Sequence, residues 1–222
     1  MKVDHRVGYF TYQTHRQCLL DESRQIALDL ACPICENSIV STVPTTNGSP
    51  QPQIITRYHN EGGVQTNLDI LPLITEEAYL EANPAARPAR AFMTMCGEGD
   101  VAGIVELLKA LEEDADEGDM SPGELLRWQD PLDGMKTGLH VAIERGQQEA
   151  VWLLLWLASG LQTQSFPVEV AQAAEAMDSE RETANGADIR GLRDGQEQTA
   201  ADVARSMGSK WTGLLMEGVL QV

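Results

Sequence analysis

The stretch from Asp133 to Leu157 constrains the fold most. It reads as one helix-turn-helix hairpin. Asp133 and Gly134 make a turn, and Thr137 is a candidate N-cap whose hydroxyl can take a first-turn N–H. Leu139, Ala142 and Ile143 then share a helical face at i, i+3, i+4 spacing. Gly146 stops that helix, because the residue just past a C-terminus often needs a positive φ that only glycine takes without cost. Ala150, Val151, Leu153, Leu154 and Leu155 make a second helix that is apolar almost all round and must be buried on most of its surface. A lone hairpin cannot bury it, so this unit needs neighbours packed on both sides.

The same residues carry a resemblance. Thr137-Gly138-Leu139-His140-Val141-Ala142 stands where ankyrin repeats have Thr-Pro-Leu-His-x-Ala, and Gly146, Glu149, Val151 and Leu153-Leu154-Leu155 match the usual second half. Gly138 replaces the proline, which is expected to loosen the turn into the first helix, and the run from Gly134 to Thr137 is one residue longer than the common Gly-x-Thr. A last unit resembles the same family: Gly186-Ala187-Asp188-Ile189 closes one repeat, Asp194-Gly195 opens the next, Thr199 to Ala204 replaces the signature with Asp202 for His, and Trp211, Leu214 and Leu215 follow Gly208. Residues 89–111 resemble a degenerate repeat, with Ala91, Met95 and Cys96 inward, a stop at Gly99, and Ile104, Val105, Leu107 and Leu108 after it.

The expected fold is therefore mainly α: a short ankyrin-repeat solenoid over residues 89–222, with repeats near 89–111, 130–160 and 190–218 and an insertion at 161–184. Residues 75–88 are expected to be a helix and linker, with Thr75 as the cap. Residues 1–74 are expected to be an irregular segment, partly β or disordered, with Ile54–Tyr58 a strand and 44–53 a Pro-rich loop. The resemblance implies a non-enzymatic scaffold that binds another protein through turn tips and first-helix faces. On that basis Asp133, Met135, Lys136, Asp194, Gln196 and Glu197 are the expected partner contacts, and His140 is expected to bond neighbouring turns. Gln129-Asp130-Pro131, the long insertion and Met216–Val219 also resemble the short ankyrin region preceding the catalytic domain of fungal arginine N-methyltransferases. No such catalytic domain is expected in these 222 residues.

Charge narrows the partners. The net charge of −18 is unevenly spread. Residues 1–90 carry 7 basic and 10 acidic groups, and residues 91–222 carry 9 and 24, a net of −15. That disfavours nucleic acid and anionic membranes and favours a basic protein surface. The acidic run Glu112–Asp119 is expected to be a solvated loop. No apolar run is long enough to span a membrane, and the N-terminus lacks a secretory core. With four cysteines and no disulfide scaffold, a cytoplasmic or nuclear location is expected.

Two other chemistries have sequence support. His15 and Cys18 form an HxxC pair and Cys32 and Cys35 a CxxC pair, separated by the thirteen residues 19–31. Zinc wants four soft or borderline ligands in a tetrahedron, and two such pairs on tight turns supply them. The usual turn glycine beside the cysteines is missing, and ordinary thiols at a chance spacing are the competing reading. No other cofactor is expected. Met95-Cys96-Gly97-Glu98-Gly99-Asp100 resembles the glycine loop of S-adenosylmethionine-dependent methyltransferases, which should follow a buried strand and open a helix. Arg90–Thr94 is a poor strand, so that enzyme reading is the weaker alternative, beside a zinc-stabilised interaction module. No Ser-His-Asp set, P-loop or HExxH motif is present. Trp152 and Trp156, at i, i+4, read as core or as an exposed partner stripe.

Overall fold

A computed structural model describes residues 21–33, 35–44, 50–60, 63–113, 120–177, 181–182 and 186–222. It is mainly helical and divides into two compact units, Met1–Pro84 and Ala85–Val222. No helix among the described residues is long and apolar enough to cross a membrane.

In the first unit, α1 (Ser23–Asp29) packs against α2 (Leu71–Ala82). Two antiparallel hairpins lie between them in sequence: β1 (Ser41–Pro44) with β2 (Pro50–Gln53), and β3 (Ile55–Asn60) with β4 (Gly63–Asp69). The buried core comprises Ile26, Cys32, Ile39, Ile54 and Ile74. Several sequence expectations change here. The 44–53 segment contributes strand residues at both ends rather than only loop. The helix starts at Leu71 rather than at Thr75, because Pro72 falls in its first turn, where a missing N–H costs nothing. Thr75 donates its hydroxyl to the Leu71 carbonyl at 2.8 Å, one turn back, instead of capping. Val7–Tyr12, whose aromatic and β-branched content reads as a strand in the sequence, lies outside the described residues.

The second unit is built from paired helices. α3 (Arg87–Glu98) and α4 (Val101–Glu113) form one pair, and α6 (Gly138–Arg145) and α7 (Gln148–Ala158) the next. α9 (Ala200–Ser206) and the short α10 (Thr212–Met216) complete the set. α6 packs between α3 and α9, and α4 packs on α7. α5 (Pro122–Leu126) bridges α4 and α7, and α8 (Val168–Ala176) covers α7. Every residue of α7 from Ala150 to Ala158 is buried, as its all-round apolar sequence requires. Gly99 and Gly146 end α3 and α6 at φ 78° and 74°.

Two sequence details resolve at the α3–α6 contact. A Cβ on Gly138 would sit 2.7 Å from a Phe92 ring carbon and 2.8 Å from the Cys96 sulfur. The residue is therefore small because α3 approaches closely, and not in order to loosen a turn. The Cys96–Asp100 segment is the C-terminal turn of α3, with the Gly99 and Asp100 N–H groups both donated to the Met95 carbonyl. A helix precedes it and a helix follows, so the strand that a methyltransferase glycine loop requires is not there.

Trp152 and Trp156 are core residues. Phe166, from the start of the insertion, sits edge-on to both rings at centroid distances of 5.9 and 5.2 Å. Arg181 lies over Trp156 and Phe166 and donates to the carbonyls of Trp156, Ser159 and Leu161 at 2.8–2.9 Å. The Trp156 carbonyl is one that the end of α7 leaves without a helical partner, the other two lie just beyond that end, and burial lowers the Arg181 pKa from its usual value.

Candidate interaction surface

Two loop tips precede α6 and α9, and both are closed by single β-bridges, Asp130 to Lys136 and Arg193 to Thr199. In each, a buried aspartate organises the loop from inside. The Asp130 Oδ1 accepts the Leu132 N–H at 2.8 Å, while its Oδ2 pairs with Arg90 on α3. The Asp194 Oδ1 accepts the Gln196 and Gln198 N–H groups at 2.8 and 2.9 Å. Burial is the main cause that raises the Asp130 pKa, opposed by the Leu132 N–H and by Arg90. The residue two before each N-cap threonine is left-handed although it is not glycine: Met135 at φ 59° and Glu197 at φ 61°. The extra residue between Gly134 and Thr137 is accommodated by putting Gly134 itself at φ 60°.

The tips are joined to each other. The Gly195 N–H donates to the Gly134 carbonyl at 2.7 Å, and the Gln129 side-chain amide donates to both the Met135 and Arg193 carbonyls. His140 ties the same two layers from the helix side. Its Nδ1 lies 2.8 Å from the Thr137 hydroxyl and accepts the Thr137 N–H at 3.3 Å. Its Nε2 lies 3.1 Å from the Gln198 carbonyl, which accepts the ring N–H. This fixes the neutral tautomer with the proton on Nε2. Burial is the main cause of a lowered His140 pKa, opposed by the Gln198 carbonyl and by Asp194. Thr137 is the N-cap, as expected, in a capping box with His140, and its hydroxyl also faces the imidazole.

The six expected contact residues separate on this geometry. Asp133, Met135, Gln196 and Glu197 are exposed, and the Gly195–Gly134 bond brings the two loops side by side. Lys136 is half-buried and held by Asp133 and Glu144 at 3.1 and 2.8 Å, which with their hydrogen bonds raise its pKa against the opposing effect of burial. Asp194 is only 7% exposed, and its carboxylate accepts N–H groups within its own loop. Leu132, beside Met135, adds an exposed apolar side chain that sequence pattern did not single out, and the Asp-Pro-Leu-Asp context offered no periodicity to find it by. The reach of Gln129 to Arg193 and of Arg90 to Asp130 is not legible in the sequence, because those partners are distant along the chain.

The metal candidates divide as well. His15 and Cys18 lie outside the described residues. Cys32 is buried at 2% exposure and Cys35 is exposed. Among the described residues no group of three or more His, Cys, Asp or Glu side chains is placed to hold a metal ion. The acidic run is described only as far as Glu113, where α4 ends. No family model, curated protein or solved structure matches the chain.

Proposed function

We propose that residues 85–222 are an ankyrin-repeat interaction module that binds a protein partner across the 130–136 and 193–199 tips and the adjoining faces of α6 and α9. The observation that carries this reading is the double link between layers, Gly195 to Gly134 through backbone and His140 to Gln198 through the ring. Two loops built the same way and bonded edge to edge make a rigid platform. A rigid platform lowers the ordering cost of association. On it, Leu132 and Met135 offer apolar contact beside the polar Asp133, Gln196 and Glu197. The net −15 of residues 91–222 favours a basic partner and a salt-sensitive encounter.

The test is capture from a lysate with the full chain, followed by repeat capture with Leu132→Ser combined with Met135→Asn. Asparagine tolerates the left-handed backbone at 135, and both side chains are exposed, so the fold should persist. A partner lost by this variant and weakened by salt supports the module. A partner that binds the variant as well as the parent, equally at low and high salt, places the interaction elsewhere.

A further inference from the structure

We propose that Asp133-Gly134, in the first tip, is a modification site: it rearranges to isoaspartate in the folded chain and so becomes a substrate for an S-adenosylmethionine-dependent protein carboxyl methyltransferase. The inference rests on a comparison of the two tips and is independent of the proposed partner surface.

Each tip carries an Asp-Gly pair, Asp133-Gly134 and Asp194-Gly195. The same step is open in principle to both. The glycine nitrogen attacks the aspartate Cγ, one C–N bond forms, one C–O bond breaks, and the N–H proton leaves with the hydroxyl as water. A five-membered succinimide results. Water then adds at either carbonyl, and addition at the main-chain one leaves the backbone running through the aspartate side chain. No oxidant, reductant or co-reactant besides water enters. Glycine favours the step because no Cβ crowds its nitrogen. The nitrogen must be free to attack, and the carboxyl must be free to turn toward it.

Both conditions hold at Asp133. Gly134 is exposed, and a Cβ built on it would meet nothing within 4 Å. Among the described residues its N–H is donated to no acceptor. The Asp133 side chain is 52% exposed and pairs with Lys136 at 3.1 Å, and Lys136 is shared with Glu144 at 2.8 Å. A solvated pair of this kind restrains the carboxyl little.

Neither condition holds at Asp194. The Gly195 N–H is donated to the Gly134 carbonyl at 2.7 Å, and a Cβ on Gly195 would sit 3.0 Å from that same oxygen. Asp194 is buried, and turning its carboxyl toward Gly195 would give up the Gln196 and Gln198 N–H groups held at 2.8 and 2.9 Å. The bond that joins the tips thus protects one Asp-Gly pair and leaves the other open.

The product acts on that same bond. Isoaspartate adds one methylene to the main chain immediately before Gly134. The ends of the loop are fixed by the Asp130–Lys136 bridge and by the Met135 N–H on the Asp130 carbonyl at 2.7 Å. The added length therefore displaces the Gly134 carbonyl from the Gly195 N–H.

The test incubates the full chain at neutral pH and physiological temperature, folded and in parallel in urea. Isoaspartate is read by methyl transfer from S-adenosylmethionine with a protein isoaspartate methyltransferase, and is located by mass spectrometry of electron-transfer fragments. In the folded chain it should accumulate at position 133 at least about ten-fold faster than at 194, because the second pair reacts only through local opening. In urea the two pairs should react at similar rates. Asp133→Glu, whose carboxyl would have to close a six-membered ring, should abolish the folded-chain signal. In the aged chain the Gly195 amide should exchange with deuterium faster than in the fresh chain. Equal rates at the two positions of the folded chain, no isoaspartate at 133, no methyl transfer to the intact aged chain, or a preference for 133 that persists in urea would each overturn the proposal. An unchanged Gly195 amide would overturn the effect on the bond between the tips.

Discussion

Replacing His140 with alanine should uncouple the two tip layers, and the structure sets the size of the effect. The ring is fully buried and serves two backbone groups, the Thr137 N–H at 3.3 Å and the Gln198 carbonyl at 3.1 Å. Losing one partner of a buried hydrogen bond leaves the other unsatisfied, at about 1–3 kcal/mol each. The Thr137 bond is long and belongs at the low end of that range. Adding the lost ring contacts, the variant should be less stable by about 2–4 kcal/mol, a large share of a typical domain's 5–15 kcal/mol. The pH dependence follows from the same contacts. The folded His140 pKa lies below the ordinary value of about 6.5. A depressed histidine pKa means that the unfolded chain takes up the proton first. The stabilisation is therefore fully present above about pH 6.5 and is lost as pH falls below it toward the folded value, at up to about 1.4 kcal/mol per pH unit. Protonation also turns Nδ1 from acceptor to donor, facing it with the Thr137 N–H.

Urea denaturation followed by tryptophan fluorescence reads this directly, since Trp211 is buried and donates its indole N–H to the Ile143 carbonyl at 3.2 Å across the same layers. The chain has three other histidines, so the comparison is parent against His140→Ala at each pH. The gap should be widest at pH 8 and should narrow by pH 5. A gap below about 0.5 kcal/mol, within the range of an ordinary surface substitution, or one that is constant with pH, would refute the bridging role.

Three further outcomes follow from packing. Gly138→Ala should destabilise by about 1–3 kcal/mol, since its Cβ would meet Phe92 and Cys96 within 3 Å; Gly138→Pro, which would match the repeat signature, should be no better, and a raised melting temperature in either would sink the close-approach argument. Leu154→Ala, at a side chain with no exposed surface, should cost about 2–5 kcal/mol, and a melting temperature unchanged within error would show that α7 is not core. Arg181→Ala removes three hydrogen bonds to carbonyls at the end of α7; Arg181→Lys should not restore what is lost, because an ammonium lacks the planar fork, and full rescue by lysine would mean that charge alone mattered.

How much of this was legible in the sequence depended on how far apart the partners lie. The α6–α7 hairpin could be read because its signals are local: apolar spacing on α6, an all-apolar α7, and Gly146 as the stop. The same is true of the chain reversal at Gly99. Gly138 could not be read correctly, because the atoms that demand a small residue belong to Phe92 and Cys96, some forty residues earlier. Asp194 looked like an exposed turn residue beside Gly195, and only its backbone acceptors show why it is buried. The tryptophan pair left two readings open until Phe166 was seen across both rings. The helix start at Leu71 could not be read, because a proline that starts a helix and one that ends it differ only in what surrounds them.

One local device recurs and gives a second pH limb. Ser121 with Glu124, Thr137 with His140, and Thr199 with Asp202 are all N-cap pairs in which the third helical residue reaches back to the cap N–H. The carboxylates stop there: Asp202 accepts from the Thr199 N–H and hydroxyl at 2.9 and 2.7 Å and otherwise pairs with Arg205 on its own helix. Only the imidazole carries a second ring nitrogen, and only it continues to the next layer. The residue at this position thus decides whether a cap is local or also links layers. The Thr199 bonds lower the Asp202 pKa and the Ser121 bonds lower that of Glu124. A depressed carboxylate pKa contributes stability present above the unfolded value, about 4, and lost as pH falls through the folded one. Acid unfolding should therefore proceed in two limbs, the histidine limb beginning below about pH 6.5 and the carboxylate limb below about pH 4. Asp202→Asn should diminish the lower limb and leave the upper one intact. A change in the upper limb on that substitution would mean that the two caps are coupled through the α6–α9 packing and do not act locally.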